Sequence, residues 1–245
     1  MTVPPRLRVV GPGRSGGAFS LALQRAGWVV LDPVRRGQDP SSAGEGADLV
    51  LVTTPDDAIA ATASGIGPTD AVVTHASGSL GLAVLGAHRR VAGVHPLVSL
   101  PSAELGASRL AAGAWFAVAG DPLVQRLVSD LGGRWFTVAD EDRAAYHAAA
   151  VVASNHLVAL IGQVERIAGD LGVPPQAYLD LAAATLANAA SLGAAAALTG
   201  PAARGDWDTV RRHLRALDPS EHEAYRALAS AARRLVDGTG LPDDV

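Results

Sequence analysis

Short runs of β-branched and other apolar residues recur along the first 140 residues, and a longer segment of mixed polarity follows each run. The clearest are "RVV" before Gly11, "WVVL" before Asp32, "ADLVLVTT" before Pro55, "DAVVTHAS" before Gly78 and "RVAGV" before His95. Almost wholly apolar strands that alternate with helix-length segments predict a parallel sheet with helices on both faces. Two later runs, "AWFAVAG" and "RWFTVAD", are predicted to extend this sheet.

The pattern changes after Asp140, where strand-like runs end and alanine dominates. The breaks at "GDLGVPP", "TGPAARGD" and "LDPSEHE" predict four helices, at about 141–169, 175–198, 206–217 and 220–236. The first two carry small or apolar residues on nearly every face, so we expect them to be buried all round. A domain of about 100 residues has too little surface to cover such helices alone, which favours a homodimer through this region.

Composition excludes several classes of function. The net charge is −4, and the 20 basic residues are all arginines without the basic stripe of a nucleic-acid-binding protein. Because the chain has no cysteine, thiolate nucleophiles and Cys-ligated zinc are excluded, and no spacing of His, Asp and Glu predicts a metal site. No signal-peptide-like stretch opens the chain, and the apolar segment 182–200 is too rich in alanine and polar residues to span a bilayer. We expect a soluble, cytoplasmic protein.

A glycine-rich loop follows the first apolar run. Residues 11–16 read G-P-G-R-S-G, which fits G-x-G-x-x-G, and they open an amphipathic helical segment. In this setting the first glycine permits a tight turn, the second lets backbone N–H groups approach a pyrophosphate, and the third allows close packing of helix and strand. The residues predicted to bind a dinucleotide are Gly11, Gly13, Arg14, Ser15 and Gly16. The alternative is a glycine-rich turn without a ligand.

Two signals after the second predicted strand disagree about the cofactor. Asp32, about 20 residues beyond Gly11, fits a hydrogen bond to the ribose 2′-hydroxyl of NAD. Arg35 and Arg36 instead fit ion pairs with the 2′-phosphate of NADP, and Arg14 adds a cation nearby. We predict NADP, with NAD as the alternative cofactor; a solvated arginine pair is the alternative reading of Arg35 and Arg36.

Several further segments carry a family pattern. They are "DLVLVTTPDDAI", "VVTHASGSLGLAVL", "GVHPLVSLP", "AAYHAAAVVASNHLVAL" and "ALTGPAARGDWDTVRRHLRAL". With the glycine loop, they make the chain resemble a bacterial family of predicted oxidoreductases, in which a Rossmann-like NAD(P)-binding domain precedes a helical C-terminal domain of unknown function. This family is distantly similar to ketopantoate reductase, pyrroline-5-carboxylate reductase and 6-phosphogluconate dehydrogenase. The resemblance implies substrate binding between the domains and dimerisation through the helical one.

The resemblance also implies positions for site residues. Thr53, Thr54 and Pro55 would border the nicotinamide ribose, and Ser77 with Gly78 would lie in the loop after the next strand. The stretch "TTPDD" also fits an ordinary helix start, in which Asp56 caps the helix. The predicted fold is thus a Rossmann-like doubly wound parallel α/β sheet over residues 1–140, followed by an all-α domain over 141–245.

Because the chain has no lysine, a proton donor must come from another residue type. At 100° per residue, His147 and Ser154 share one helical stripe with Asn155 at its edge, which makes His147 a candidate donor and Asn155 its orienting residue. If His156 faces the cleft instead, His147 belongs to a packing surface. His95 is the second candidate, because Pro96 restricts its backbone at the end of an apolar run. His75 is expected to be structural.

In the segment "TGPAARGD", Arg204 is a candidate clamp for a substrate carboxylate, or else a partner of Asp206, which would cap the next helix. Together these features predict an NADP-dependent reductase of a small carboxylate-bearing ketone, ketopantoate-like by analogy. An imine reductase of the pyrroline-5-carboxylate type and a non-catalytic NADP-binding regulatory protein are the alternatives.

Overall fold

The computed structural model describes residues 3–86, 88–169 and 171–242. Contacts divide the chain into two compact units, one up to Ser154 and the other from Asn155 onward. The division therefore falls 14 residues after the boundary at 140 that the change in sequence pattern predicts.

The first unit contains a seven-stranded sheet in the order β2-β1-β3-β4-β5-β6-β7. Its strands are β1 (Arg6–Val10), β2 (Val29–Val30), β3 (Leu49–Val52), β4 (Val72–His75), β5 (Val91–Pro96), β6 (Trp115–Gly120) and β7 (Arg134–Thr137). Strands β1 to β5 are parallel, whereas β6 pairs with β5 in the antiparallel sense and β7 is parallel to β6. The predicted Rossmann-like fold is confirmed. The two late strands extend the sheet but run against the others, because an apolar run predicts a strand without fixing its direction.

Helices cover both faces of this sheet. The helices of the first unit are α1 (Arg14–Arg25), α2 (Asp56–Gly65), α3 (Ala103–Leu110), α4 (Leu123–Asp130) and α5 (Arg143–Val151). Leu49 and Leu51 of β3 belong to one buried apolar cluster, with residues of α1, α3 and α4. Val50 and Val52 belong to a second cluster, with residues of α2. Successive residues of β3 therefore belong alternately to the two clusters, so the sheet is buried on both faces, as its almost wholly apolar runs predict.

The predicted C-terminal helical region is confirmed, with changes in detail. After a π-helical turn at Val152–His156, the helices are α6 (Leu157–Ala168), α7 (Pro175–Leu192), α8 (Ala194–Ala197), α9 (Pro201–Arg204), α10 (Trp207–Ala216) and α11 (His222–Asp237). The π turn divides the first predicted helix into α5 and α6. The short helix α9 lies where the sequence predicts only a break, because a single turn started by Pro201 leaves no periodic pattern.

The expectation that the first two C-terminal helices are buried all round is wrong for the chain by itself. Helix α7 has no buried residue, and Val158 of α6 and Leu181 of α7 are 72% and 64% exposed. Their composition is that of buried helices, but the second unit supplies too few residues to cover them. Their exposed apolar side chains are available for contacts outside the chain.

The helical stretch Asp140–Ala168 is long and apolar enough to cross a membrane by length and composition alone. Its polar side chains nevertheless make the contacts of a folded domain. Near its beginning, the ring nitrogen of His95 on β5 bonds the Tyr146 hydroxyl, and near its end Arg166 forms an ion pair with Glu221. None of the apolar window of this stretch is buried within the described chain.

Candidate active site

The carboxyl ends of the parallel strands bring distant segments to one edge of the sheet. Strands β1, β3, β4 and β5 lead to Gly11, Thr53, Ser77 and His95 respectively. Ligands of open α/β sheets bind outside this edge. Most of the predicted site residues of the first unit therefore lie near one another because of topology alone.

The glycine loop is shaped by its contact with the end of β3. Gly11 has φ +87°, and a Cβ atom there would lie 3.1 Å from Thr54 Cγ2. A Cβ atom on Gly16 would lie only 2.4 Å from Thr53 Oγ1. The Thr53 hydroxyl donates a 2.7 Å hydrogen bond to the Gly11 carbonyl, so the threonine holds the turn and takes the space that the third glycine leaves. These two glycines are required by close packing.

The N-terminus of α1 fits a pyrophosphate group. Its N-cap residue, Gly13, provides no side-chain cap, its first turn contains no acidic residue, and a Cβ atom on Gly13 would meet no atom within 4 Å. Arg14 and Ser15 open the helix directly after this space. Uncapped backbone N–H groups and the helix dipole favour an anion at this point. Beside the loop, the buried Oγ1 of Thr54 has no hydrogen-bond partner in the described structure, as fits a group that a bound ribose would pair.

The chain after β2 returns to the glycine loop. Val34 forms a parallel bridge with Val10, and the Gly11 N–H donates a 2.9 Å hydrogen bond to the Val34 carbonyl. The next two residues, Arg35 and Arg36, are exposed, as is Asp32. The arginine pair is therefore held next to the loop by backbone pairing, at the position where the ribose end of a dinucleotide lies in Rossmann-like folds.

Asp56 organises the loop after β4 rather than capping α2. Helix α2 begins at Asp56, so the helix start that "TTPDD" fits is confirmed, but its N-cap residue is Pro55 and it has no side-chain cap, so the capping role in that alternative is wrong. Its Oδ2 accepts hydrogen bonds of 2.8 Å from the Ser77 hydroxyl and 2.7 Å from the Ser79 hydroxyl. The serines compete successfully for this carboxylate because the parallel pairing of β3 and β4 places their loop beside the start of α2. The hydroxyl of Ser77 is thus committed to the protein's own structure.

His75 is a buried residue with a structural hydrogen bond. It is fully buried at the end of β4, and its Nδ1 accepts a 3.2 Å hydrogen bond from the Ser77 N–H. Burial lowers the pKa of His75, and the positive charge of Arg143 lowers it further. A neutral ring that accepts through Nδ1 carries its proton on Nε2. This arrangement agrees with the structural role expected from the sequence.

Two histidines flank the glycine that follows Ser77. A Cβ atom on Gly78 would lie 2.8 Å from Nε2 of His95 and 2.9 Å from Cδ2 of His147. The centroids of the two imidazole rings are 6.0 Å apart, and the rings are nearly perpendicular. The two sequence candidates for proton transfer therefore form one cluster against Gly78, where only glycine leaves enough room.

Tyr146 completes this cluster, and sequence reasoning missed it. Its hydroxyl lies 2.6 Å from Nδ1 of His95. Burial raises the pKa of Tyr146, so the phenol keeps its proton. We assign its hydroxyl as the hydrogen-bond donor to Nδ1, which puts the proton of the neutral His95 ring on Nε2, the atom that borders Gly78. The available signal was a single tyrosine next to His147 in an otherwise alanine-rich segment.

The pKa of His95 is lowered to about 4. Burial is the main cause and the charge of His147 the second, while Asp56 acts weakly in the opposite direction. His95 is consequently neutral at pH 7. Its Nε2–H is a hydrogen-bond donor that does not require protonation of the ring.

The remaining sequence candidates lie in the second unit. The π-helical turn at Val152–His156 shifts the helical phase, so the stripe predicted to join His147 to Ser154 and Asn155 does not continue at 100° per residue. The roles of Asn155 as an orienting residue and of the exposed Arg204 as a carboxylate clamp stay predictions. The alternative role of Asp206 is confirmed, because it caps α10 by accepting a 3.1 Å hydrogen bond from the Thr209 N–H.

Removing the Tyr146 hydroxyl should change the tautomer of the neutral His95 ring. Tyr146→Phe deletes the hydrogen bond that Nδ1 accepts, a stabilisation of about 1 kcal/mol, so the ratio of the Nδ1–H to the Nε2–H tautomer should rise about fivefold. The ¹⁵N chemical shifts of the two ring nitrogens at pH 7 measure this ratio. Tyr225→Phe is the matched control, because Tyr225 makes the same 2.6 Å contact with Nδ1 of His213 in the second unit. An unchanged His95 tautomer in Tyr146→Phe would contradict the assigned hydrogen-bond direction.

The low pKa of His95 makes the free energy of unfolding depend on pH. The pKa of His95 lies below the value of 6.5 for an ordinary histidine, so the folded chain binds fewer protons than the unfolded chain between pH 6.5 and 4. The contribution of His95 to the free energy of unfolding is therefore present above pH 6.5 and is lost as the pH falls through this window. Urea unfolding at pH 7 and pH 4.5 should show a smaller loss for His95→Gln than for the wild type.

Comparisons with known proteins agree with this architecture. The family model of a domain of unknown function, DUF2520, matches residues 116–232. A search of curated protein sequences finds no match. A Bacteroides fragilis protein described as a "putative NADP oxidoreductase" has a TM-score of 0.82 and 21% identity, over 94% of this chain and 98% of that chain.

Two other solved structures are also similar. Protein TM1727 from Thermotoga maritima has a TM-score of 0.70 and 25% identity, over 94% of this chain and 98% of that chain. A reductive aminase from Aspergillus terreus, solved with NADPH4, cyclohexanone and allyl amine, has a TM-score of 0.71 and 15% identity, over 98% and 97%. The comparisons confirm the Rossmann-like fold with a helical C-terminal region, and with it the resemblance that the sequence motifs carry.

Proposed function

We propose that this protein is an NADP-dependent oxidoreductase that reduces a small carbonyl compound or imine. The observation that carries the proposal is that one sheet edge holds both an uncapped glycine loop and a Tyr146–His95–His147 cluster. The first is suited to a dinucleotide, and the second is suited to hydrogen bonding and proton transfer. The similar structures described with NADP or NADPH4 support the choice of cofactor.

The cofactor would be held by three features of the first unit. The N-terminus of α1 would take the pyrophosphate, the unpartnered Thr54 hydroxyl a ribose, and Arg35 with Arg36 the 2′-phosphate. Arginine side chains favour phosphate because they offer paired N–H donors with a permanent charge. When bound, the cofactor supplies the hydride.

The histidine cluster divides the remaining work between two rings. The Nε2–H of His95, oriented by Tyr146, donates a hydrogen bond to the substrate oxygen or nitrogen and polarises the double bond. His95 is neutral at pH 7, so it does not itself supply a proton from a charged ring. His147, half-buried on the other side of Gly78, transfers the proton. The missing lysine is replaced by two imidazoles with different tasks.

An imine substrate is the second candidate within this reaction class. The neutrality of His95 favours it, because a protonated imine brings its own proton and needs no strong acid from the protein. The reductive aminase among the similar structures is consistent with this candidate. Turnover of cyclic imines but not of ketones would identify it, whereas tight NADPH binding without turnover of either class would favour a regulatory protein.

We also propose that the protein is a homodimer through the helical unit. The support is the exposure of apolar residues on α6 and α7 in a chain whose composition predicts buried helices. Light scattering of the purified protein gives its mass directly. A monomer at micromolar concentration would contradict the proposal.

Cofactor selectivity should depend on the arginine pair. The double variant Arg35→Ser, Arg36→Ser should bind NADPH about 10- to 100-fold more weakly, because charge-assisted hydrogen bonds to the 2′-phosphate are lost, while NADH binding is unchanged. Nicotinamide fluorescence titrations measure both cofactors. Arg89→Ser is the control, since Arg89 is an exposed arginine paired with Asp70. Equal weakening of NADPH and NADH would contradict the assignment.

Proton transfer should depend on His147. His147→Gln should lower kcat about 100-fold or more with little change in NADPH affinity, since a positioned acid contributes about 10²–10⁴. The assay follows NADPH oxidation across a panel of 2-oxo acids, ketones and cyclic imines. If His156→Gln lowers kcat and His147→Gln does not, the catalytic face of this helix has been assigned wrongly.

A further inference from the structure

Arg143 is a buried cation that neither the sequence analysis nor the proposed reaction uses. It is the first residue of α5, its side chain is 2% exposed, and it is among the largest fully buried side chains of the described chain. Withdrawing a guanidinium from water costs several kcal/mol unless its charge and its N–H groups are compensated. The groups around Arg143 therefore show whether its guanidinium still has room for a bound anion.

The protein compensates Arg143 only in part. Its Nε donates a 2.9 Å hydrogen bond to Oδ1 of Asp140, but its buried Nη2 has no partner within the part of the chain that the structure describes. A carboxylate that binds an arginine side-on uses both of its oxygens. Here Oδ2 of Asp140 is turned toward Gly81, where a Cβ atom would lie 2.6 Å from it. The guanidinium thus keeps a free N–H edge for a second acid.

Arg143 lies on the same helix as two members of the histidine cluster. Arg143, Tyr146 and His147 are related by i, i+3 and i, i+4 spacing, so they share one face of α5 with about 5–6 Å between neighbouring Cβ atoms. The positive charge of Arg143 lowers the pKa of His75, His95 and Tyr146. The arginine is therefore close enough to the cluster to interact with a small molecule held there.

The local charges favour an anion beside Arg143. Asp140 is half-exposed, so water screens its attraction for the buried Arg143, and it accepts through one oxygen. The other nearby carboxylate, Asp56, accepts hydrogen bonds from two serine hydroxyls. An incoming carboxylate would complete the hydrogen bonding of Nη2 and neutralise a charge that the protein leaves partly unpaired.

We propose that Arg143 anchors the carboxylate of the substrate, and that the substrate is a small 2-oxo acid or the corresponding imino acid. The reduction itself rests on the proposed function, whereas the anchor rests on Arg143 and its surroundings. In such a substrate the carboxylate is next to the carbon that is reduced. Arg143 and His147 lie one helical turn apart on α5, so the first can bind the carboxylate while the second transfers a proton to the neighbouring oxygen or nitrogen. Because Nη2 is closed to solvent, the anchor works by exchange, in which the incoming carboxylate displaces the half-exposed Asp140 from the guanidinium.

The test is equilibrium binding of two probes of nearly the same shape. 2-Oxoisovalerate carries a carboxylate where 3-methyl-2-butanone carries a methyl group, and saturation-transfer NMR measures the binding of both, with and without NADP. The full chain should prefer 2-oxoisovalerate. Arg143→Met should weaken its binding about tenfold or more and leave the neutral ketone unchanged. Arg89→Met, at an exposed arginine, is the control.

A second variant leaves Arg143 in place and predicts the opposite change. Asp140→Asn removes the competing carboxylate at a half-exposed position and should tighten 2-oxoisovalerate several-fold. This variant decides the matter if Arg143→Met does not fold. Unchanged carboxylate binding in Asp140→Asn, or equal binding of both probes to the wild type, would overturn the anchor. Carboxylate binding that depends on Arg143 in a protein that does not bind NADPH would overturn the proposed function but support the anchor.

Discussion

The contact between Thr53 and the glycine loop is the constraint on which the rest of the site depends. The threonine hydroxyl bonds the Gly11 carbonyl and takes the space that a side chain on Gly16 would need. This contact fixes the turn after β1, and with it the start and direction of α1. The backbone of Val34 closes the other side of the loop and brings Arg35 beside it. A single close approach between two strand ends therefore positions both the uncapped N-terminus of α1 and the exposed arginine pair beside it.

Hydrogen bonds fix most of the polar side chains around Gly78 in one orientation. Asp56 binds the hydroxyls of Ser77 and Ser79, and between these serines lies Gly78, against which His95 and His147 pack. Tyr146 fixes the tautomer of His95, and burial keeps that ring neutral. The buried Nη2 of Arg143, like the buried Nε2 of His75, has no hydrogen-bond partner among the described residues. An enzyme site combines such fixed groups with an unfilled position that a substrate completes.

The sequence predicts the fold well because the fold follows from repeated local signals. Apolar runs separated by helix-length segments give the sheet, and the glycine spacing gives the first turn. The direction of β6 and β7 was not predictable, since the same apolar pattern suits either direction. The π turn at Val152–His156 was also hidden, because an alanine-rich helix carries no pattern that marks an extra residue.

The site was predictable residue by residue only where backbone geometry restricts the residue type. Gly11 and Gly16 are examples, because a Cβ atom would clash there, and His95 is another, because Pro96 restricts its backbone. Tyr146 and Arg143 become functional candidates only through contacts with β5 and with Asp140, which local periodicity does not encode. Asp56 was assigned as a cap because its true partners lie more than 20 residues further along the chain.

The central claim is that the N-terminus of α1 binds the pyrophosphate of NADP. Gly13 allows a direct test, because a Cβ atom there would meet no atom within 4 Å and the fold should tolerate a side chain. NADPH titrations of the wild type and of Gly13→Glu, each with an unfolding curve, measure affinity and stability together. We expect tight binding by the wild type and a loss of at least about 100-fold in the variant at unchanged stability, since the carboxylate would occupy the phosphate site and repel the phosphate. Equal NADPH affinity of the two proteins, or no binding by a folded wild type, would contradict it.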